Sequence, residues 1–242
     1  MEWQDQAIVL GARKHGEGHA VLTVLTKENG LASGYVRGGS SRRQRPVLQP
    51  GNQVQVTWRG RLEEHLGSFR AELVKSLAPG LFSSPDRLAA LNATTALLMA
   101  ALPEREAADK IYNETLVFLT LLTGEAAKPE WGAELVHLEC LLLKLSGFGL
   151  DLEKCAGTGE TQNLTYVSPN TGRAVSLEAG APYKEKLLIL PSFLTTNEVP
   201  TEADILAGLR LTGHFISGHV LHGENRGVMT ARDRLLSYFS IK

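Results

Sequence analysis

Cysteine is nearly absent: 242 residues hold two, Cys140 in a leucine-rich run and Cys155 in a Gly/Thr-rich segment. So few, in such unlike settings, exclude a disulfide-stapled scaffold. Also missing is any run near the roughly 20 apolar residues that cross a bilayer. Met1 to Asp5 carries two acids and no basic stretch of the kind that opens a secretory signal, so a cytoplasmic protein with no membrane partner is expected. The Asn-x-Thr triplets at Asn92, Asn113 and Asn163 then meet no glycosylation enzyme.

Catalytic signatures are missing as well. The chain has no Gly-x-Ser-x-Gly elbow, no His-Glu-x-x-His and no acid cluster with metal-ligand spacing, so no catalytic group is proposed and a non-enzyme is expected. His15 and His19 flank Gly16-Glu17-Gly18, but no Gly-Lys-Ser/Thr follows, which refuses a nucleotide-binding loop. His214, His219 and His222 are close in sequence, yet only the last two share a helix face, at i, i+3, with no acid or cysteine beside them. They read as ordinary helix histidines.

What is present is an average globular composition, 43% hydrophobic and 21% charged, enough for a real core. The length fits one large domain or two small ones. A formal net charge of −1 hides an asymmetry: residues 1–78 hold eleven Lys/Arg against seven Asp/Glu, 11 − 7 = +4, and the remainder 14 − 19 = −5. A basic amino-terminal part points to a polyanionic partner, and the acidic remainder argues against a wholly nucleic-acid-binding surface.

Up to about Val74 the apolar residues fall in short runs separated by Gly, Asn and Pro, the strand pattern. Five strands are predicted, at residues 7–12, 20–26, 31–36, 54–58 and 62–74, the last bending at Gly67. Asn29-Gly30 predicts a type I′ hairpin turn between the second and third. Residues 38–46, glycine-led and arginine-rich, must form an exposed loop. Five curved strands in about 75 residues close most readily into a small barrel such as the OB-fold.

After Pro79 the texture becomes helical. Ser83-Ser84-Pro85-Asp86 predicts a helix start, with Leu88, Leu91, Leu98 and Leu102 at helical spacing. A second helix is expected over 106–122, burying Ile111, Phe118, Leu119 and Leu122, and a third from Pro129 to Gly147 or Gly149 with Cys140 inside it. Residues 151–190 break the pattern and contain a small hairpin, Tyr166-Val167 against Ala174-Val175. Thr201 to Asp204 reads as a capping box opening a helix to about Leu221, and a last helix runs near 230–239. The predicted fold is α+β: an OB-fold barrel over 1–78, then a mostly helical domain over 79–242 with a small β-hairpin insert at 151–190.

Arg37, Arg42, Arg43, Arg45, Arg59 and Arg61 gather within 25 residues. The guanidinium fork donates two parallel hydrogen bonds to phosphate, and single-strand binders pair such cations with aromatic platforms, here Tyr35 and Trp58. These eight residues are the candidate DNA-binding set.

The run His15-Gly16-Glu17-Gly18-His19, then Leu22-Thr23, Thr26-Lys27-Glu28-Asn29-Gly30, Arg37-Gly38, Leu48-Gln49-Pro50-Gly51 and Arg59-Gly60-Arg61-Leu62-Glu63-Glu64, resembles the amino-terminal signature of the RecO family. The family's order of OB-fold, helical domain and cysteine-bearing insert matches the order read here, so the resemblance covers essentially the whole chain. It implies a recombination mediator that binds single- and double-stranded DNA and anneals complementary strands. It further implies work with RecR to place RecA on strands coated by single-strand-binding protein, in the nucleoid. Zinc-bearing members carry two Cys-x-x-Cys pairs in the insert; here the four positions fall at Cys155, Thr158, Ser176 and Ala179, so no metal and no cofactor are expected, the hairpin being held by packing. The acidic helical domain is either a docking surface for protein partners or a scaffold for the barrel. An RNA-binding barrel acting in translation or RNA processing is the alternative reading; discrimination of the 2′-hydroxyl would favour it.

Overall fold

The computed structural model describes the chain except residues 63–65, 82, 222–224 and 241–242. Glu63 and Glu64 of the amino-terminal signature, and His222 of the histidine group, lie outside the described residues. Contacts divide the chain into two compact units, Met1–Gly124 with Arg226–Arg232, and Glu125–Asn225 with Asp233–Lys242.

The first unit contains a closed five-stranded barrel: β1 (Glu2–His15), β2 (His19–Thr26), β3 (Gly30–Val36), β4 (Gln53–Arg59) and β5 (Ser68–Lys75), in the order β1-β2-β3-β5-β4. That closed order, with β3 and β5 parallel, is the Greek-key barrel expected of an OB-fold. β1 serves both seams, pairing with β4 through residues 2–8 and with β2 through 7–15; a register shift between Val9 and Gly11 bends it where it changes partner. Alternate residues fill the interior: Ala7 and Val9, Leu22 and Val24, Val54, Val56 and Trp58, Phe69 and Ala71, with Leu48 entering from the 37–52 loop.

Two local expectations are corrected. The β2–β3 connection is not a type I′ turn: Thr26 pairs with Gly30, leaving three residues between, and only Gly30 has positive φ (62°). The buried Asp5 carboxylate imposes this shape, accepting from the Glu28 and Asn29 amides and from Asn29 Nδ2 at 2.8, 3.2 and 3.0 Å. The fifth strand is Ser68–Lys75 rather than 62–74: residues 63–65 of the expected span lie outside the described residues, and Gly67 takes φ 60°, outside the extended range, with its missing Cβ leaving room for the Trp58 indole.

Helices α1 (Pro85–Ala101) and α2 (Asp109–Thr123) belong to the same unit. Leu91 and Leu98 are buried, as are Ile111, Phe118, Leu119 and Leu122. Ser84 makes no side-chain cap, so α1 starts on Pro85 and Asp86 alone. α2 begins at Asp109 rather than at 106, because Glu104 bridges to Leu31, the Arg105 amide donates to Leu31 O, and Arg105 takes φ 64°. Ile8, Leu10, Leu25 and Leu31 are buried although they are not among the barrel's interior residues. That side of the barrel is covered, with α1 against β1 and α2 against β2.

In the second unit α3 (Lys128–Leu145) packs on α5 (Glu202–Phe215). Gly132 and Gly208 permit the approach; a Cβ would stand 2.8 Å from Ile205 and 3.1 Å from Val136 respectively. The predicted capping box holds: the Asp204 amide donates to Thr201 Oγ1 and Asp204 Oδ2 accepts from the Thr201 amide. The α-helix ends at Phe215 and one π turn, Ile216–Val220, completes the segment expected to reach Leu221. The insert hairpin β6 (Leu164–Val167) and β7 (Ala174–Ser176) leads through one helical turn, α4 (Leu177–Gly180), to an added strand β8 (Leu188–Ile189) on β6. The last helix, α6 (Arg226–Ser237), starts four residues earlier than expected and is divided between the units at Arg232.

Candidate nucleic-acid interface

Alternation in β4 and in residues 68–72 of β5 decides which barrel face is open. In β4 Val54, Val56 and Trp58 point inward and Gln55, Thr57 and Arg59 outward; in β5 Phe69 and Ala71 point in while Ser68, Arg70 and Glu72 point out. Pairing puts Thr57 beside Arg70 and Arg59 beside Ser68, and the β3–β5 contact puts Tyr35 beside Ser68. Tyr35, Arg37, Arg59 and Arg70 therefore line one groove, of about 310 Å³, with Glu2 and Thr57. A second depression of about 510 Å³ shares Arg37 and Arg70 and adds Arg43, so the basic surface continues along β5.

The 37–52 loop is exposed but fixed. Ser41 caps the turn through the Gln44 and Arg45 amides, Gln44 Nε2 donates to Ala71 O at 3.1 Å, Asn52 Nδ2 donates to Pro46 O at 2.8 Å, and Leu48 is buried in the barrel. Those anchors carry Arg43 to the β5 side. Tyr35 is held too: its ring lies 5.1 Å from that of His19, whose Nδ1 accepts from the Gly38 amide at 3.1 Å, and 5.8 Å edge-on from His15.

The predicted set is thus partly assembled. Tyr35, Arg37 and Arg59 meet in the groove; Arg43 lines the adjoining depression with Arg37; Arg45 faces a different cleft; Arg42 and Arg61 are exposed and line none of these. Trp58 is corrected. It is 1% exposed, stacks on Trp3 at 5.8 Å and donates Nε1 to Leu66 O, so its faces are spent on the barrel and none is left for a base. Arg70 was missed, although the Ser-Phe-Arg-Ala-Glu alternation carries the signal that places it outward.

Two of the arginines are paired within the protein. Arg59 bonds Glu2 at 2.9 Å, a hydrogen bond and charge contact that raise its already high pKa, and Arg70 bonds Glu72 at 2.8 Å. All four side chains are solvated, so the pairs are weak and a phosphate can take over the guanidinium. Arg37 and Arg43 form no ion pair among the described residues.

The insert lacks the donors of a zinc site. Cys155 is buried and accepts from the Ser176 amide at 3.3 Å. Burial pushes its thiol up, but hydrogen bonds from Ser176 and Thr158 outweigh that and bring it down to about 6. One thiolate, two hydroxyls and the Ala179 methyl do not make a zinc site, and no group of three or more His, Cys, Asp or Glu among the described residues could hold a metal. Cys140 is likewise a free thiol, pushed up to about 12 by burial and by neighbouring Glu139. No helix among the described residues is long and apolar enough to cross a membrane.

Comparison with known proteins then decides the lineage. Residues 1–77 match the family model "Recombination protein O N terminal" and residues 83–226 match "Recombination protein O C terminal". The chain belongs to the RecO family. It is 48% identical to the DNA repair protein RecO of Rhodospirillum rubrum over 240 residues, 98% of this chain and 95% of that one. It is 46% identical to the RecO of Rhodospirillum centenum over 99% of this chain and 95% of the relative, and 48% identical to that of Mesorhizobium japonicum over 91% and 86%. The RecO amino-terminal match ends within two residues of β5 and so coincides with the barrel.

Proposed function

We propose that this RecO-family chain is a non-enzymatic DNA-repair and recombination mediator. Its barrel binds single strands, accepts duplex more weakly, and accelerates annealing of complementary strands. The observation that carries the reading is the groove on the β3-β5-β4 face, where Arg37, Arg59 and Arg70 surround Tyr35. Guanidinium groups along such a track neutralise successive phosphates and release their counterions, so two strands held on one protein repel each other less and pairing nucleates sooner. Tyr35 supplies a stacking face that tolerates any base. In the pathway reading the chain acts in the nucleoid with RecR, displacing single-strand-binding protein so that RecA can load, and the acidic second unit is where protein partners dock.

Annealing of two complementary labelled strands, with and without single-strand-binding protein and titrated across salt, tests this. Acceleration that fades with salt is expected. No acceleration, together with tight binding of RNA, would overturn the repair reading in favour of an RNA-binding barrel.

A further inference from the structure

The barrel carries a second basic cleft that shares no residue with the first. At the far end of the β1–β2 hairpin, Arg13 and Lys14 meet Arg45, Gln49 and Ser40 around a cleft of about 430 Å³. Its chemistry differs from that of the β3-β5-β4 groove. There Arg59 and Arg70 are paired with Glu2 and Glu72, whereas Arg13, Lys14 and Arg45 form no ion pair among the described residues, and no carboxylate lines the cleft. Three cations with no internal counter-charge on an open wall are matched by a phosphodiester backbone, with Gln49 and Ser40 as neutral hydrogen-bonding groups beside it.

The two clefts are divided by the anchored loop. Arg43 lines the β5 side and Arg45 the β1–β2 side, two residues apart in a turn that Ser41 caps and Leu48 pins into the core. We propose that the Arg13–Lys14–Arg45 cleft is a second single-strand site, and that the loop stands as a cationic partition between two nucleic-acid strands bound to one barrel. The inference rests on the DNA-binding reading above and adds to it: one face is enough for binding, but annealing on a single chain needs two strands held at once. The guanidinium groups of Arg43 and Arg45 lie between the strands, where two phosphate backbones would otherwise repel.

The stoichiometry of a short oligothymidylate, about 8 nucleotides and so able to fill one site of an OB-fold but not wrap two, tests this by native mass spectrometry and calorimetry. The wild-type chain is expected to take two oligonucleotides. Arg13→Ala with Lys14→Ala, both exposed at a strand end, is expected to take one, with affinity at the remaining site within about threefold and annealing slowed tenfold or more. Arg37→Ala with Arg70→Ala should also leave one site, the complementary one. A double variant at Arg13 and Lys14 that still takes two oligonucleotides and anneals normally would overturn the second site and leave the DNA-binding reading standing. A wild-type chain that takes one would do the same, and a wild-type chain that takes none would overturn both.

Discussion

Truncating Trp58 to alanine removes an indole that fills the barrel between Trp3, Gly60 and Gly67, a loss of about 3–5 kcal/mol in folding stability. Tyr35→Ala touches only the rim. It is expected to leave the unfolding transition within a degree or two and to weaken single-strand binding by about 1–3 kcal/mol, one stacked base. Parallel thermal melts and fluorescence titrations check the pair; a Tyr35→Ala protein that binds as tightly as wild type would remove the platform. Glu2 and Glu72 act in the opposite sense, since each holds an arginine that a phosphate would otherwise claim. Glu2→Gln with Glu72→Gln is therefore expected to tighten binding at low salt, by a margin that closes as salt screens the charges. Cys155 gives a pH signature. Its folded thiol lies near 6, below the ordinary thiol value, so the thiolate contributes stability that is fully present above that ordinary value and is lost as pH falls toward 6. The difference in melting temperature between wild type and Cys155→Ala should widen from pH 6 to pH 9, and a constant difference would show that the thiolate carries none of it.

The loop between β3 and β4 is the element on which the basic surface depends, and its order comes from three anchors and no regular structure. Leu48→Ala deletes the buried one without changing any charge. It should cost about 2–5 kcal/mol of stability, and in the folded protein it should weaken DNA binding several-fold because Arg43 and Arg45 lose their fixed positions. Unchanged affinity in the folded variant would mean that the arginines act without the anchor. Strand alternation made much of this legible beforehand. The period of two in Gln53 to Arg59 fixes an inward Trp58 as firmly as an outward Arg59, and the same rule applied to β5 finds Arg70. Chemistry alone nominates Trp58, and its inward parity in the strand overrules it. The β2–β3 turn was not legible, since its conformation is imposed by Asp5, more than twenty residues away in sequence, and Asn-Gly propensity yields to that carboxylate. Likewise α2 starts late because Glu104 and Arg105 are drawn into strand-like pairing with Leu31, a contact that no local pattern records.

For the molecule as a whole, the charge partition is the most informative number in the sequence, because it directs the proposed polyanion site to the basic amino-terminal part and away from the acidic remainder. What it could not supply is which side of the barrel remains open. The continuous apolar runs, Ala7–Leu10 of β1 and most of β2, are buried on both faces, and the alternating runs of β4 and of residues 68–72 of β5 meet solvent on one, so the groove falls where the pattern turns polar. The Arg37–Arg59–Arg70 face should therefore account for most of the salt dependence of binding at its own site. The decisive measurement is the slope of log affinity against log salt for a single-stranded oligonucleotide, in wild type and in Arg37→Ala with Arg70→Ala, both carrying Arg13→Ala and Lys14→Ala so that this face alone is read. Loss of two phosphate contacts should reduce the slope by about 1.4 and lower affinity at every salt concentration. A double variant with the wild-type slope and affinity would mean that the strand does not run along this face.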